Sequence, residues 1–86
     1  MIFQFAEIKC LFEVLRILNS KNSKYSEMFR KTKVSHTTLQ YVLRELATKE
    51  FIVKYDIGHQ NVNYELTNKG KKLLANLLQL YQLVKD

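Results

Sequence analysis

The 86-residue chain has no proline or tryptophan, a single cysteine, two glycines and two histidines. One cysteine rules out an internal disulfide. His36 and His59 have no second His, Cys or carboxylate at ligand spacing, so neither a metal nor any other cofactor is expected. No nucleophile stands with a base and an orienting group, and there is no glycine-rich phosphate loop or carboxylate pair. The chain is therefore not expected to be an enzyme. Charge interrupts every apolar run before it could cross a bilayer. The first ten residues, MIFQFAEIKC, lack the basic start and cleavage site of a signal peptide. With the lone cysteine, this predicts a cytoplasmic protein. Low-complexity tracts and internal repeats are also missing.

The length fits one small domain, residues 1–86, and not two. A domain this short buries a limited share of its surface, and no covalent staple assists it. A partner chain is expected on that ground alone. The formal net charge is +6, which points to a polyanion as a second partner. The excess is local. Residues 20–36 carry Lys21, Lys24, Arg30, Lys31 and Lys33 against Glu27, and residues 54–72 carry Lys54, Lys69, Lys71 and Lys72 against Asp56 and Glu65.

Along residues 4–18, Ile8, Leu11, Phe12, Leu15 and Leu18 recur at helical spacing. Ala6, Cys10, Val14 and Ile17 form a second apolar set, so this helix is expected to touch two neighbours. NSKNSK, residues 19–24, reads as a polar loop. Ser26 looks like the N-cap of a short helix ending near Thr32. Ser35 is the next N-cap, opening a helix over about 36–49. There Leu39, Val42, Leu43 and Leu46 lie within an arc of roughly 100°, with His36, Thr37, Gln40, Tyr41, Arg44 and Thr48 on the other side. FIVKYDI and VNYEL are β-branched and aromatic runs separated by GHQN, which predicts a hairpin over about 52–66. Thr67 then caps a final helix over about 68–85, despite Gly70 in its first turn. The class is α+β, mostly α.

Helix, short helix, helix, hairpin, helix is the order of a winged helix-turn-helix, and the chain resembles that superfamily over nearly its whole length. VSHTTLQYVLRELATKEFI, residues 34–52, looks like the recognition helix running into the wing. LTNKG, residues 66–70, is similar to the Leu-Thr-x-Lys-Gly that follows the wing in MarR-like and PadR-like regulators and in small archaeal winged-helix proteins. Glu50 departs from the glycine the family usually has there, which leaves that helix end without a ready left-handed residue.

The resemblance implies a recognition helix in the DNA major groove, a two-stranded wing and a long C-terminal dimerisation helix. Gln40 then suits adenine and Arg44 guanine. Ser35, His36 and Thr37 in the first turn suit phosphate or bases, and Tyr41 is placed on the same outer side. Lys24, Lys31 and Lys33 are expected on phosphates, which position without specifying. Lys54 and the wing tip, His59, Gln60 and Asn61, complete the expected DNA surface.

In the last helix, Leu73, Leu77, Leu80 and Val84 step like a coiled-coil seam beside a stripe of Leu74, Leu78 and Tyr81. One stripe is expected to pack on the domain and the other on a second copy. Cys10, Val14 and Ile17 are expected to join Leu73, Leu77, Leu80, Tyr81 and Val84 in that interface. The reading is a homodimeric, sequence-specific transcriptional regulator that represses by occupancy, with no small-molecule effector. The alternatives are an architectural chromatin protein with little sequence preference and a winged-helix protein–protein adaptor.

Overall fold

The computed structural model describes residues 5–56 and 62–85. Their order is α1 (Phe5–Ser20), β1 (Ser23–Lys24), α2 (Tyr25–Thr32), α3 (His36–Thr48), β2 (Ile52–Asp56), β3 (Val62–Leu66) and α4 (Asn68–Lys85). Three helices and the hairpin match the reading within a residue or two. His59, Gln60 and Asn61, with the turn glycine, lie outside the described residues.

α1 is the central element. It packs against α2, α3, α4 and β3 at once, which is why residues from both apolar sets find partners. Cys10, Val14 and Leu15 on α1 are fully buried with Met28 from α2, Leu39, Val42 and Leu46 from α3, and Ile52 from β2. Each such side chain contributes roughly 1.5–3 kcal/mol of transfer free energy. Ile8, expected in the core stripe, is instead 48% exposed.

The sheet has three strands in the order β1-β3-β2, not the two expected. β2 and β3 pair antiparallel from Ile52↔Leu66 to Asp56↔Val62. β1 adds two residues on the other side of β3, Ser23↔Tyr64 and Lys24↔Asn63. Its polar sequence gives no strand signal, because its edge position rests on backbone pairing. β1 also moves the start of α2. Lys24, not Ser26, is the N-cap, and its N–H donates to the Glu27 side chain at 3.5 Å. That bond, helped by Lys21 3.6 Å from Glu27, holds the Glu27 carboxyl below its ordinary pKa.

α3 begins as expected, with Ser35 Oγ accepting from the Thr38 N–H at 3.2 Å. Its far end is a Schellman cap. Phe51 N–H donates to Leu46 O at 2.9 Å and Glu50 N–H to Ala47 O at 3.1 Å. Such a cap needs a left-handed residue, and Glu50 supplies it itself at φ 65°. The departure from glycine therefore moves nothing and costs conformational strain instead.

Thr67 caps α4, accepting from the Gly70 N–H at 3.0 Å. Gly70 is required by proximity. A Cβ there would lie 2.1 Å from the Phe51 carbonyl oxygen and 2.5 Å from Leu66 Cδ1. The two caps thus predict opposite signs. Gly70→Ala should destabilise by about 3 kcal/mol through overpacking against backbone. Glu50→Gly should stabilise by about 0.5–1 kcal/mol, since relief of the left-handed strain exceeds the added chain entropy. Urea titrations of both variants check this, with unchanged m-values if only stability moves.

Candidate nucleic-acid interface

Four exposed residues one helical turn apart, His36, Gln40, Arg44 and Thr48, run along α3 on the side away from Leu39 and Leu46. Beside them the hairpin leans toward α3 and leaves a groove of about 520 Å³. Gln40, Arg44 and Thr48 form its α3 wall. Lys54, Val62 and Tyr64 come from the wing strands, and Tyr25 of α2 also lines it. Lys54 reaches the groove because it pairs with Tyr64 and shares the inward face of the hairpin with it. The arrangement offers one guanidinium, one ammonium and one side-chain amide along an open channel. Such donors suit phosphates and base edges.

The N-terminal end of this row is not made of unpartnered side chains. The His36 ring stacks on Phe29 with centroids 3.7 Å apart and planes 9° from parallel. Tyr25 lies beside it at 5.8 Å. The Tyr25 hydroxyl and His36 Nδ1 are 2.9 Å apart in a hydrogen bond. Burial pushes the Tyr25 pKa above its ordinary value, against a smaller opposing effect of the nearby Gln40 side chain. Sequence reasoning did not single out Tyr25. The available signal was its spacing, an aromatic four residues before Phe29 on the helix that faces His36.

The other expected contacts are distributed differently. Thr37 is exposed beside the row. Ser35 is engaged in the cap, its hydroxyl also donating to Thr38 Oγ1 at 3.0 Å. Tyr41 is half-buried and packs against the hydrophobic core, so it is not brought out with Gln40 and Arg44. Lys33 sits at the turn between α2 and α3 in a left-handed conformation, φ 56°. Lys31 lines a separate depression with Arg16, Ile17 and Lys21 against α1. Lys24 is exposed on the sheet, opposite Asn63.

The dimer expectation needs correction. Cys10 and Val14 are 0% exposed inside the chain's own core and present nothing to a partner. Ile17, Leu73 and Leu77 are half-buried against that same core. Leu80, Tyr81 and Val84 are exposed. Leu78, Leu83 and Ile8 join them, with Leu83 and Val84 each at 78%. Phe12 and Tyr81 stack at 6.4 Å, tying this part of α4 to α1. Among the described residues no cluster of three metal-ligating side chains occurs, and no helix is long and apolar enough to cross a membrane.

A family model described as winged helix-turn-helix matches residues 6–85. The chain belongs to the winged helix-turn-helix family. Solved structures share the fold at low sequence identity. A Streptococcus mutans UA159 protein, smu.1704, superposes with a TM-score of 0.84 at 22% identity, covering 99% of this chain and 87% of that one. A PadR family transcription regulator from Clostridium difficile R20291 gives 0.82 at 22% identity, over 88% and 90%. A transcriptional regulator from Clostridium thermocellum gives 0.81 at 20% identity, over 98% and 92%. No curated protein matches the chain.

Burial pushes the Cys10 thiol up to about 11, with the charges of Glu13 and Glu7 adding to the effect. The folded value lies above the ordinary 9.0. Stability from the neutral thiol is therefore fully present below pH 9 and lost as pH rises toward 11. The loss amounts to about 2–3 kcal/mol. Urea unfolding at intervals between pH 8 and 11 should show this decline. Cys10→Ala, less stable at neutral pH, should decline by less over the same interval.

Proposed function

We propose that the protein is a homodimeric, sequence-specific DNA-binding transcriptional regulator, and that it represses by occupying its site. The observation that carries this reading is the exposed row on α3 facing Lys54 across an open groove. Core contacts hold the inner stripe of α3, while Gln40 and Arg44 project where a winged-helix protein meets the major groove. The transcription regulators among the structural neighbours support the same reading. Gln40 reads adenine and Arg44 reads guanine. Lys33 and Lys54 hold phosphates, which set position and make binding sensitive to salt.

The partner copy docks on the exposed apolar end of α4, through Leu80, Tyr81, Leu83 and Val84. A contiguous apolar face is otherwise costly on a small soluble domain. Two-fold pairing there would present two α3 helices to sites about one turn, roughly 34 Å, apart.

Selection from a random duplex pool tests this directly. The expected product is a palindrome with half-sites about ten base pairs apart. Arg44→Ala should then cost about 1–3 kcal/mol on the selected site and much less on random DNA. Salt-sensitive binding without enrichment would defeat the specific reading in favour of an architectural one.

Sedimentation at micromolar concentration tests the assembly. A dimer of the 10.2 kDa chain is expected. Val84→Glu combined with Leu83→Glu should return it to a monomer of unchanged fold. A wild-type monomer would sink the dimer.

A further inference from the structure

His36 is exposed, yet its ring is held on two sides by α2. One face lies on Phe29, with centroids 3.7 Å apart and planes 9° from parallel. Its Nδ1 stands 2.9 Å from the Tyr25 hydroxyl in a hydrogen bond. The Tyr25 and Phe29 rings are 6° from parallel, and both pack against the core while partly buried. Turning the imidazole over about its last bond would break the hydrogen bond, and another χ1 rotamer would break the stack. The two nitrogens of an imidazole point to different sides of the ring. Nε2 is therefore held pointing away from Tyr25, and among the described residues it has no hydrogen-bond partner.

We propose that His36 contacts a backbone phosphate through Nε2, and that Tyr25 is the positioning residue for that contact. The inference rests on the DNA-binding reading above. His36 stands at the α2 end of the α3 row, outside the groove that Gln40, Arg44 and Lys54 line. A ring pinned to the scaffold suits a target that does not vary with sequence, and the phosphate is that target. Phosphate oxygens only accept, so the contact requires a proton on Nε2. The phenol serves either charge state of the ring that carries one. It donates to Nδ1 of the neutral imidazole and accepts from Nδ1–H of the imidazolium. A ring already aligned also loses less freedom on contact than a mobile one.

The test uses the whole chain and a random-sequence duplex at low salt, since a phosphate contact does not depend on sequence. Affinity is measured for wild type, Tyr25→Phe, His36→Ala and the double variant. Phenylalanine keeps the ring stack, and thermal unfolding of each variant controls for structural loss. His36→Ala should weaken binding about tenfold, the worth of a hydrogen bond to a charged group, and Tyr25→Phe about threefold. In the His36→Ala background, Tyr25→Phe should change nothing further. Nitrogen NMR of the imidazole supplies a signature that a merely structural role would not move. The His36 Nε2 resonance should shift when duplex is added to wild type, and shift less in Tyr25→Phe. Its loss in His36→Ala separates it from the signal of the other histidine. Three outcomes would overturn the proposal while leaving the DNA reading intact. They are wild-type affinity in either single variant, equal effects of Tyr25→Phe with and without His36, and an Nε2 resonance unmoved by DNA. If the wild type binds no duplex at all, the DNA reading fails, and the proposal fails with it.

Discussion

The carbonyl of Phe51 is the point on which three elements depend. It accepts from the Thr67 N–H at 3.1 Å and lies 2.9 Å from the Thr67 hydroxyl, which also lies 2.7 Å from Glu50 O. Gly70 lets the first turn of α4 close over it. Lys69 crosses the same junction, donating to Lys49 O at 2.8 Å and standing 4.8 Å above the Phe51 ring. A cation at the C-terminus of α3 also opposes the helix dipole favourably. The end of α3, the start of β2 and the start of α4 are thus clamped around one backbone group. A residue too bulky at position 70 would force all three apart.

That clamp explains why the outer side of α3 can remain uncommitted to stability. The helix is held at its C-terminus by the Schellman cap and the Thr67 bonds. At its N-terminus the Ser35 cap and the aromatic stack hold it, and Leu39, Val42, Leu43 and Leu46 hold it from beneath. Gln40 and Arg44 therefore stand on a rigid support without paying into the core. Preorganised side chains lose less freedom when they meet a ligand. The stack carries a second consequence. His36 is exposed at the surface but its ring is fixed by Phe29, so it behaves as part of the scaffold as well as part of the row.

Much of this was legible in the sequence where local chemistry decides. The Leu39–Leu46 stripe, the Ser35 and Thr67 caps and the β-branched runs each state their structure within a few residues. LTNKG was legible as a pattern, but its physical reason was not. Leu66 fills the core, Thr67 caps, Lys69 reaches the end of α3 and Gly70 makes room, and all four roles refer to residues near position 50. What could not be read depends on tertiary placement. β1 exists because β3 has a free edge beside Ser23, and the N-cap of α2 moves with it. Cys10 and Val14 looked available to a second copy because α1 has two apolar sets. Packing four elements around α1 buries both of those residues. Tyr25 was invisible because its partner, His36, lies eleven residues away.

The same packing sharpens the argument for a partner. Along α4 the core ends with Leu73, Leu74 and Leu77. Every residue described from Leu78 to Val84 is exposed, although five of the seven are large and apolar. Scattered apolar residues on a surface need no explanation, whereas a run of them on one helix end does. The first half of that helix is fixed to the Phe51 clamp, and through it to α3. In the proposed dimer, contact at the far end of α4 therefore sets the separation of the two reading helices through one continuous rigid helix. The spacing of the half-sites then follows from the length of α4 and from the carbonyl that anchors it.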